Sequence, residues 1–581
     1  MKLVAAAIAL LVIVLSLAIH AAALPQPQNG CESIDLNQGW TRSQREAFWF
    51  TTQGSRIMPY AWFRELEVAD PSSTTLFRDH SNLERYGYIS AAPSELNKDG
   101  LPIGFAKDVG SGGDEYVGFT CAACHTGSLE VSGKRLIVEG GQGLGDFWPF
   151  LTDVTGALDA ALHDSSKFDR FSKRVLTTTP PSSDDVKKLR AQMETKLADL
   201  KTRIKQNTPA NPSGRGRVDA FSHIFSRVLA QTFDIPENAE PPYAPKVSAP
   251  VSYPILWDTP YLDVVQWNGS APNSRFLALG PLGRNVGEVL GVFADLKVIP
   301  GRHIPFFPRF SRLPQLESSA NITNLIGLDV LVRSLWSPQW PKSCLPLADA
   351  ATVARGRAVY VGEGGCVSCH RLLDSAERKD PRRSIDAVLN TLPEVVTDPT
   401  MAMNFAARSA RSGPWESYPN VVPLARLGLV HRFGREANAR DLLVAAVNNV
   451  ILRAGVPVEP SGVLIDPAED FRRIRKALEA SETPVYKARP LNGVWATAPY
   501  LHNGSVPTLY DLLLPESERA RVFFVGSREF DPKKVGLVTT EAPGTFRFDT
   551  SPQGNWNNGH RFGTTLTTKQ KEDLLEFLKT L

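Results

Sequence analysis

Four stretches of the chain have a hydrophobic pattern that names an element. Residues 3–19 form an apolar run behind Lys2, interrupted only by Ser16 and followed by Ala21, Ala22 and Ala23. A basic start, an apolar middle and small residues at −3 and −1 read as a secretory signal peptide cut after Ala23. The same run is nearly long enough for an uncleaved membrane anchor. No later stretch is apolar enough to cross a bilayer, so no stable membrane span is expected after cleavage. Residues 183–206 are charged, with Val186, Leu189, Met193, Leu197, Leu200 and Ile204 at helical spacing, which predicts an amphipathic helix serving as scaffold or lid. Residues 354–360 read as a short helix, with Gly356 where another backbone could approach closely. At the C-terminus, Thr567 and Gln570 form a capping-box pattern, and Leu574, Leu575, Leu578 and Leu581 follow as one apolar stripe.

Composition adds the spaces between these elements. The chain has 581 residues, enough for two or three domains. Its 44 prolines suggest long, stiffened loops between short helices rather than an extended sheet. The expected fold class is therefore mainly α. A net charge of +3 gives no electrostatic footprint for nucleic acid. Six cysteines are too few for a disulfide scaffold in a secreted chain of this length. Cys31 and Cys344 could pair in an oxidising compartment, although sequence does not show that they meet.

The other four cysteines carry the chemistry. They fall in Cys121-Ala122-Ala123-Cys124-His125 and Cys366-Val367-Ser368-Cys369-His370. This spacing puts two thiols about one turn apart, so both can form thioethers to one haem, with the adjoining histidine beneath the iron. A lone Cys-x-x-Cys also suits a redox dithiol or half a zinc site. Two copies, each completed by histidine behind an export signal, point to two covalently bound haem c groups. His125 and His370 are the expected iron ligands, in a protein of the periplasm or secreted from the cell.

The helix at 354–360 is similar to the first helix of cytochrome c domains, which crosses the terminal helix. Residues 346–581 then read as a C-terminal cytochrome c domain. Residues 1–23 are the signal peptide, and residues 24–345 form the N-terminal haem domain with a helical insertion at about 150–250.

The stretch from Tyr486 to Tyr510, which includes Tyr500-Leu501-His502-Asn503-Gly504, resembles the C-terminal signature of the bacterial di-haem cytochrome c peroxidase superfamily. That group includes a methylamine dehydrogenase maturation enzyme, the rubber oxygenases and di-haem fatty-acid dioxygenases. Trp267-Asn268-Gly269-Ser270 and Asn285-Val286-Gly287-Glu288 are similar to two further blocks of the same superfamily. The long insertion and the wording of the signature look most like the oxygenase branch.

The resemblance implies unequal haems. The N-terminal haem has an open or opening sixth position, and the C-terminal haem is six-coordinate. The peroxidases close the latter with a methionine beyond the signature, but the last methionine here is Met403. His560 is the expected replacement, as in the bis-histidine rubber oxygenases, with His502 and Tyr510 as alternatives. Trp267 matches the tryptophan between the haems, otherwise a buried core aromatic. Glu288 matches the glutamate that moves protons beside the first haem, otherwise a solvated helix residue. The family's glutamine falls at Leu277, Asn268 replaces aspartate and Ser270 replaces arginine, which implies a more apolar pocket. His80, His163, His223 and His303 carry no motif. His431 has flanking arginines of the kind that pair with haem propionates.

Two enzymes fit these residues. One is an oxygenase that activates dioxygen at the N-terminal haem and acts on an unsaturated apolar substrate, with the C-terminal haem as electron reservoir. The other is a peroxidase that reduces hydrogen peroxide with electrons from a small donor protein. A plain electron carrier is the third reading.

Overall fold

The computed structural model describes residues 35–131, 133–176, 182–232, 247–274, 280–299, 315–420, 431–455 and 466–581. The signal segment, Cys31, Leu277, His303 and the His431 side chain lie outside the described residues. Cys344 is disulfide-bonded. Residues Asp35–Leu581 form one compact unit.

Helices carry the cores. The first is α1 (Arg42–Phe50), started by a capping box between Thr41 and Gln44. Next come α2 (Phe147–His163), α3 (Ser165–Val175) and α4 (Ser183–Asn207). The last of these is the amphipathic helix read from the sequence. Its Leu189, Met193, Leu197 and Leu200 join a core with Phe63, Phe77, Phe105, Phe119 and Phe150. Burying that stripe makes α4 scaffold, not lid.

A second core is shared by α5 (Ala220–Thr232), α6 (Pro281–Gly291) and α8 (Ala439–Ala454). Phe225, Val286, Leu290, Leu442 and Val447 meet there. Residues from both sides of position 345 therefore bury apolar surface against each other.

Strands are more numerous than the proline count suggested, so "mainly α" holds only loosely. Among the described residues there is one three-stranded sheet, and the other sheets are two-stranded ribbons. Three ribbons matter for the site. β1 (Thr126–Val131) pairs with β2 (Lys134–Glu139) directly after His125. β3 (Arg217–Val218) pairs with β4 (Val251–Ser252), just ahead of Pro254. β5 (Val388–Thr391) pairs with β6 (Val485–Ala488), which runs into Arg489. Such short ribbons leave little periodic signal, because each spans only two to six residues.

The C-terminal helix α9 (Thr568–Leu578) has the expected Thr567–Gln570 capping box. It crosses α7 (Ala350–Val361) at Gly356. A Cβ on Gly356 would stand 1.9 Å from the Asp573 carbonyl oxygen, so no other residue fits that crossing without displacing a helix.

Candidate haem sites

Each Cys-x-x-Cys-His motif closes a single tight turn. Cys121–Ala123 and Cys366–Ser368 are short 3-10 turns. The amides of His125 and His370 then reach back to the carbonyls of Cys121 (2.9 Å) and Cys366 (2.8 Å). All four thiols are free of disulfides.

The two histidines are held in the same way. His125 Nδ1 lies 2.8 Å from the Pro254 carbonyl oxygen, and His370 Nδ1 lies 2.6 Å from that of Arg489. A carbonyl accepts only from an N–H, so both bonds place the proton on Nδ1 and leave Nε2 with its lone pair. Burial pushes His125 down to about 4 and also lowers His370. Both rings are therefore neutral near pH 7, the form that binds iron.

A mainly apolar cavity opens above the second motif. It is lined by Cys366, Cys369, His370 and His560, and it continues past Tyr486 and His502 to Trp267, Pro254 and Gln142. The ring centres of His370 and His560 are 6.4 Å apart. Two metal–imidazole bonds of about 2.0–2.1 Å in line, each with its ring centre about an ångström behind the nitrogen, give a separation of about 6 Å. The donor set and its spacing fit a haem iron between two imidazoles.

His560 is held firmly in an uncommon backbone. Its φ of 49° is left-handed, as is the 83° of Gly559. Its amide donates to the Val395 carbonyl at 2.9 Å. Arg519 donates to the carbonyls of Asn557, Gly559 and His560 at 2.7, 2.8 and 3.3 Å. Burial lowers the His560 pKa to about 3. Its Nδ1 is buried with no partner among the described residues.

The alternatives are otherwise engaged or placed. His502 lines the same cavity, but its ring lies 4.2 Å from that of Tyr486 and its Nε2 3.1 Å from the Tyr486 hydroxyl. Tyr510 is not among the cavity residues.

Around the first motif, α6 presents Arg284 and Glu288 one turn apart. Burial raises the pKa of Cys121 and Cys124 with a smaller push from the Glu288 carboxylate, and burial lowers that of His125 with a smaller push from Arg284, so both charges lie near that turn. Glu288 is half-buried, and burial raises its pKa above the ordinary glutamate value. Gln266 donates to Glu288 Oε1 at 3.2 Å. This partner was not read from the sequence. Its signal was its place directly before Trp267. Leu277, from which a more apolar pocket was inferred, lies outside the described residues, while Gln266 supplies an amide beside Glu288 from another position.

Trp267 is half-buried. Its indole donates to the Ser252 carbonyl at 2.9 Å, and its own carbonyl accepts from the Lys487 amide at 2.8 Å. Asn268 and Ser270 are buried. The other histidines do plain work. His80 bonds the Gly100 carbonyl, His163 sits exposed beside Asp159, and His223 packs edge-on against Phe147.

Residues 485–524 match the family model described as RoxA-like, cytochrome c-like. This segment contains β6, Arg489 and His502, and so forms one wall of the cavity. Such a cytochrome c-like segment implies haem c. Over nearly its whole length the chain is similar to the Sinorhizobium fredii protein "Uncharacterized protein y4iJ". The two are 31% identical over 605 residues, covering 94% of this chain and 93% of that one. The chain belongs to the y4iJ family. A second Sinorhizobium fredii protein, "Uncharacterized protein y4iM", is 38% identical over 141 residues, spanning 19% of this chain and 32% of its own length. This chain carries a RoxA-like cytochrome c segment, which suggests an oxidoreductase. Among the described residues, no helix is long and apolar enough to cross a membrane.

Proposed function

We propose that this chain is an extracytoplasmic di-haem c-type oxidoreductase that activates dioxygen at its N-terminal haem and oxygenates an unsaturated apolar substrate. Cys121, Cys124 and His125 hold that haem. Cys366, Cys369, His370 and His560 hold the second, which serves as electron reservoir. The observation that carries this reading is the 6.4 Å separation of the His370 and His560 rings. A bis-histidine site is closed to external ligands, which leaves the chemistry to the other iron. The RoxA-like match of residues 485–524 supports the oxygenase branch. When bound, haem supplies the redox chemistry. Glu288, oriented by Gln266, holds or moves a proton beside it, and Trp267 lies along the cavity wall that leads to His370.

One observation favours a second reading. The Gln266–Glu288 pair restores the amide–carboxylate arrangement of a peroxide-cleaving pocket, with a small cytochrome or cupredoxin as electron donor. Oxygen uptake and product analysis separate the two. The oxygenase consumes dioxygen with an unsaturated fatty acid or polyisoprene and needs no added reductant. Fast peroxide turnover with a reduced cytochrome, and no oxygen uptake, would sink the oxygenase reading in favour of the peroxidase.

A further inference from the structure

The carbonyls that hold the two proximal histidines belong to segments laced to each other. His125 bonds to Pro254, the first residue of the stretch Pro254-Ile255-Leu256-Trp257-Asp258-Thr259. His370 bonds to the carbonyl of Arg489. The side chain of the same Arg489 reaches across to the first stretch. Its Nη1 lies 3.3 Å from the Ile255 carbonyl and 3.4 Å from Thr259 Oγ1, and its Nη2 donates to the Trp257 carbonyl. Two more bonds close the seam. The Trp257 indole donates to the Asn492 carbonyl at 2.7 Å, and the Asn492 amide donates to Asp258 Oδ2 at 3.0 Å.

This is a costly arrangement for a merely structural residue. Arg489 is largely buried, burial pushes its pKa down to about 10 against the opposing charge of Asp258 4.0 Å away, and its Nε has no partner among the described residues. A planar fork with several donors can hold three backbone and hydroxyl oxygens at once in a fixed geometry.

We infer that Arg489 is a positioning residue that joins the two proximal histidines, so that a change at one haem is felt at the other through bonded backbone. The route runs from His125 to the Pro254 carbonyl, along the peptide to Ile255, across to the Arg489 guanidinium, and back through the Arg489 carbonyl to His370. The strength of the Nδ1–H bond sets how basic each imidazole is toward its metal. Tension on one end of the route is therefore transmitted as ligand strength at the other. This inference rests on the two-haem reading proposed above.

The test compares the wild-type chain with Arg489→Lys and Arg489→Gln. Pyridine haemochrome first counts haem per chain, and one haem in the wild type would overturn the two-haem reading and the coupling with it. Electron paramagnetic resonance is then recorded on fully oxidised and on one-electron-reduced protein. In the wild type, reducing one haem shifts the g-values of the haem that stays oxidised. In both variants that shift falls to less than half while haem content stays at two. A shift of equal size in all three proteins, or none in the wild type, overturns the inference. Where Arg489→Gln does not accumulate, Thr259→Val removes one anchor of the fork and shows a smaller loss of the same shift.

Discussion

The imidazoles of His370 and His560 face each other with ring centres 6.4 Å apart and planes at 42°. His560→Ala removes one of them without touching either Cys-x-x-Cys-His motif. The expected outcome is two haems per chain by pyridine haemochrome, with one low-spin signal converted to high-spin. An unchanged spectrum moves the ligand to His502 or Tyr510.

Arg519 keeps His560 in its left-handed turn through three carbonyls. Arg519→Met leaves buried carbonyl oxygens without donors, at a cost of about 1–3 kcal/mol. The melting temperature falls, and the low-spin signal of the C-terminal haem broadens into a mixture of geometries. A sharp, wild-type signal in this variant would show that the turn holds itself.

Glu288 is half-buried near the first motif and accepts from Gln266. Glu288→Gln is expected to lower turnover about 10²–10⁴-fold, the usual worth of a placed proton-transfer group. Haem spectra stay as in the wild type. Burial raises the carboxyl pKa, so the wild-type pH profile has a limb above the ordinary glutamate range, and the variant lacks it. Retention of that limb would assign it to another group.

Glu139 ends the ribbon that begins beside His125, and burial pushes its pKa up to about 7. The folded state thus keeps a proton that the unfolded chain has released, and stability falls as pH rises from about 4.5 through 7. Glu139→Gln removes this dependence. The difference between the two proteins then changes by about 3 kcal/mol from pH 4 to pH 8, in favour of the variant at high pH. Parallel denaturation curves across that range would show that Glu139 stays charged in the fold.

The residues that speak through local spacing were legible from the sequence. The two haem motifs, the α4 stripe and the α9 capping box all depend on neighbours within one or two turns, whereas the crossing of Gly356 with Asp573 came from the resemblance of residues 354–360 to the first cytochrome c helix. The singling out of His560 rested on resemblance and on the lack of a later methionine. What stayed hidden depends on contacts across the chain. Gln266 reaches Glu288 from 22 positions away, and Arg489 spans 230 or more to its acceptors. The ribbons β3 and β4 are two residues each, below the length at which alternation can be read.

Carbon monoxide binding to the reduced protein tests the division of labour most directly. The account expects two haems per chain, one carbon monoxide bound per chain in the wild type, and two bound in His560→Ala. Binding at neither haem, or at both in the wild type, would contradict it.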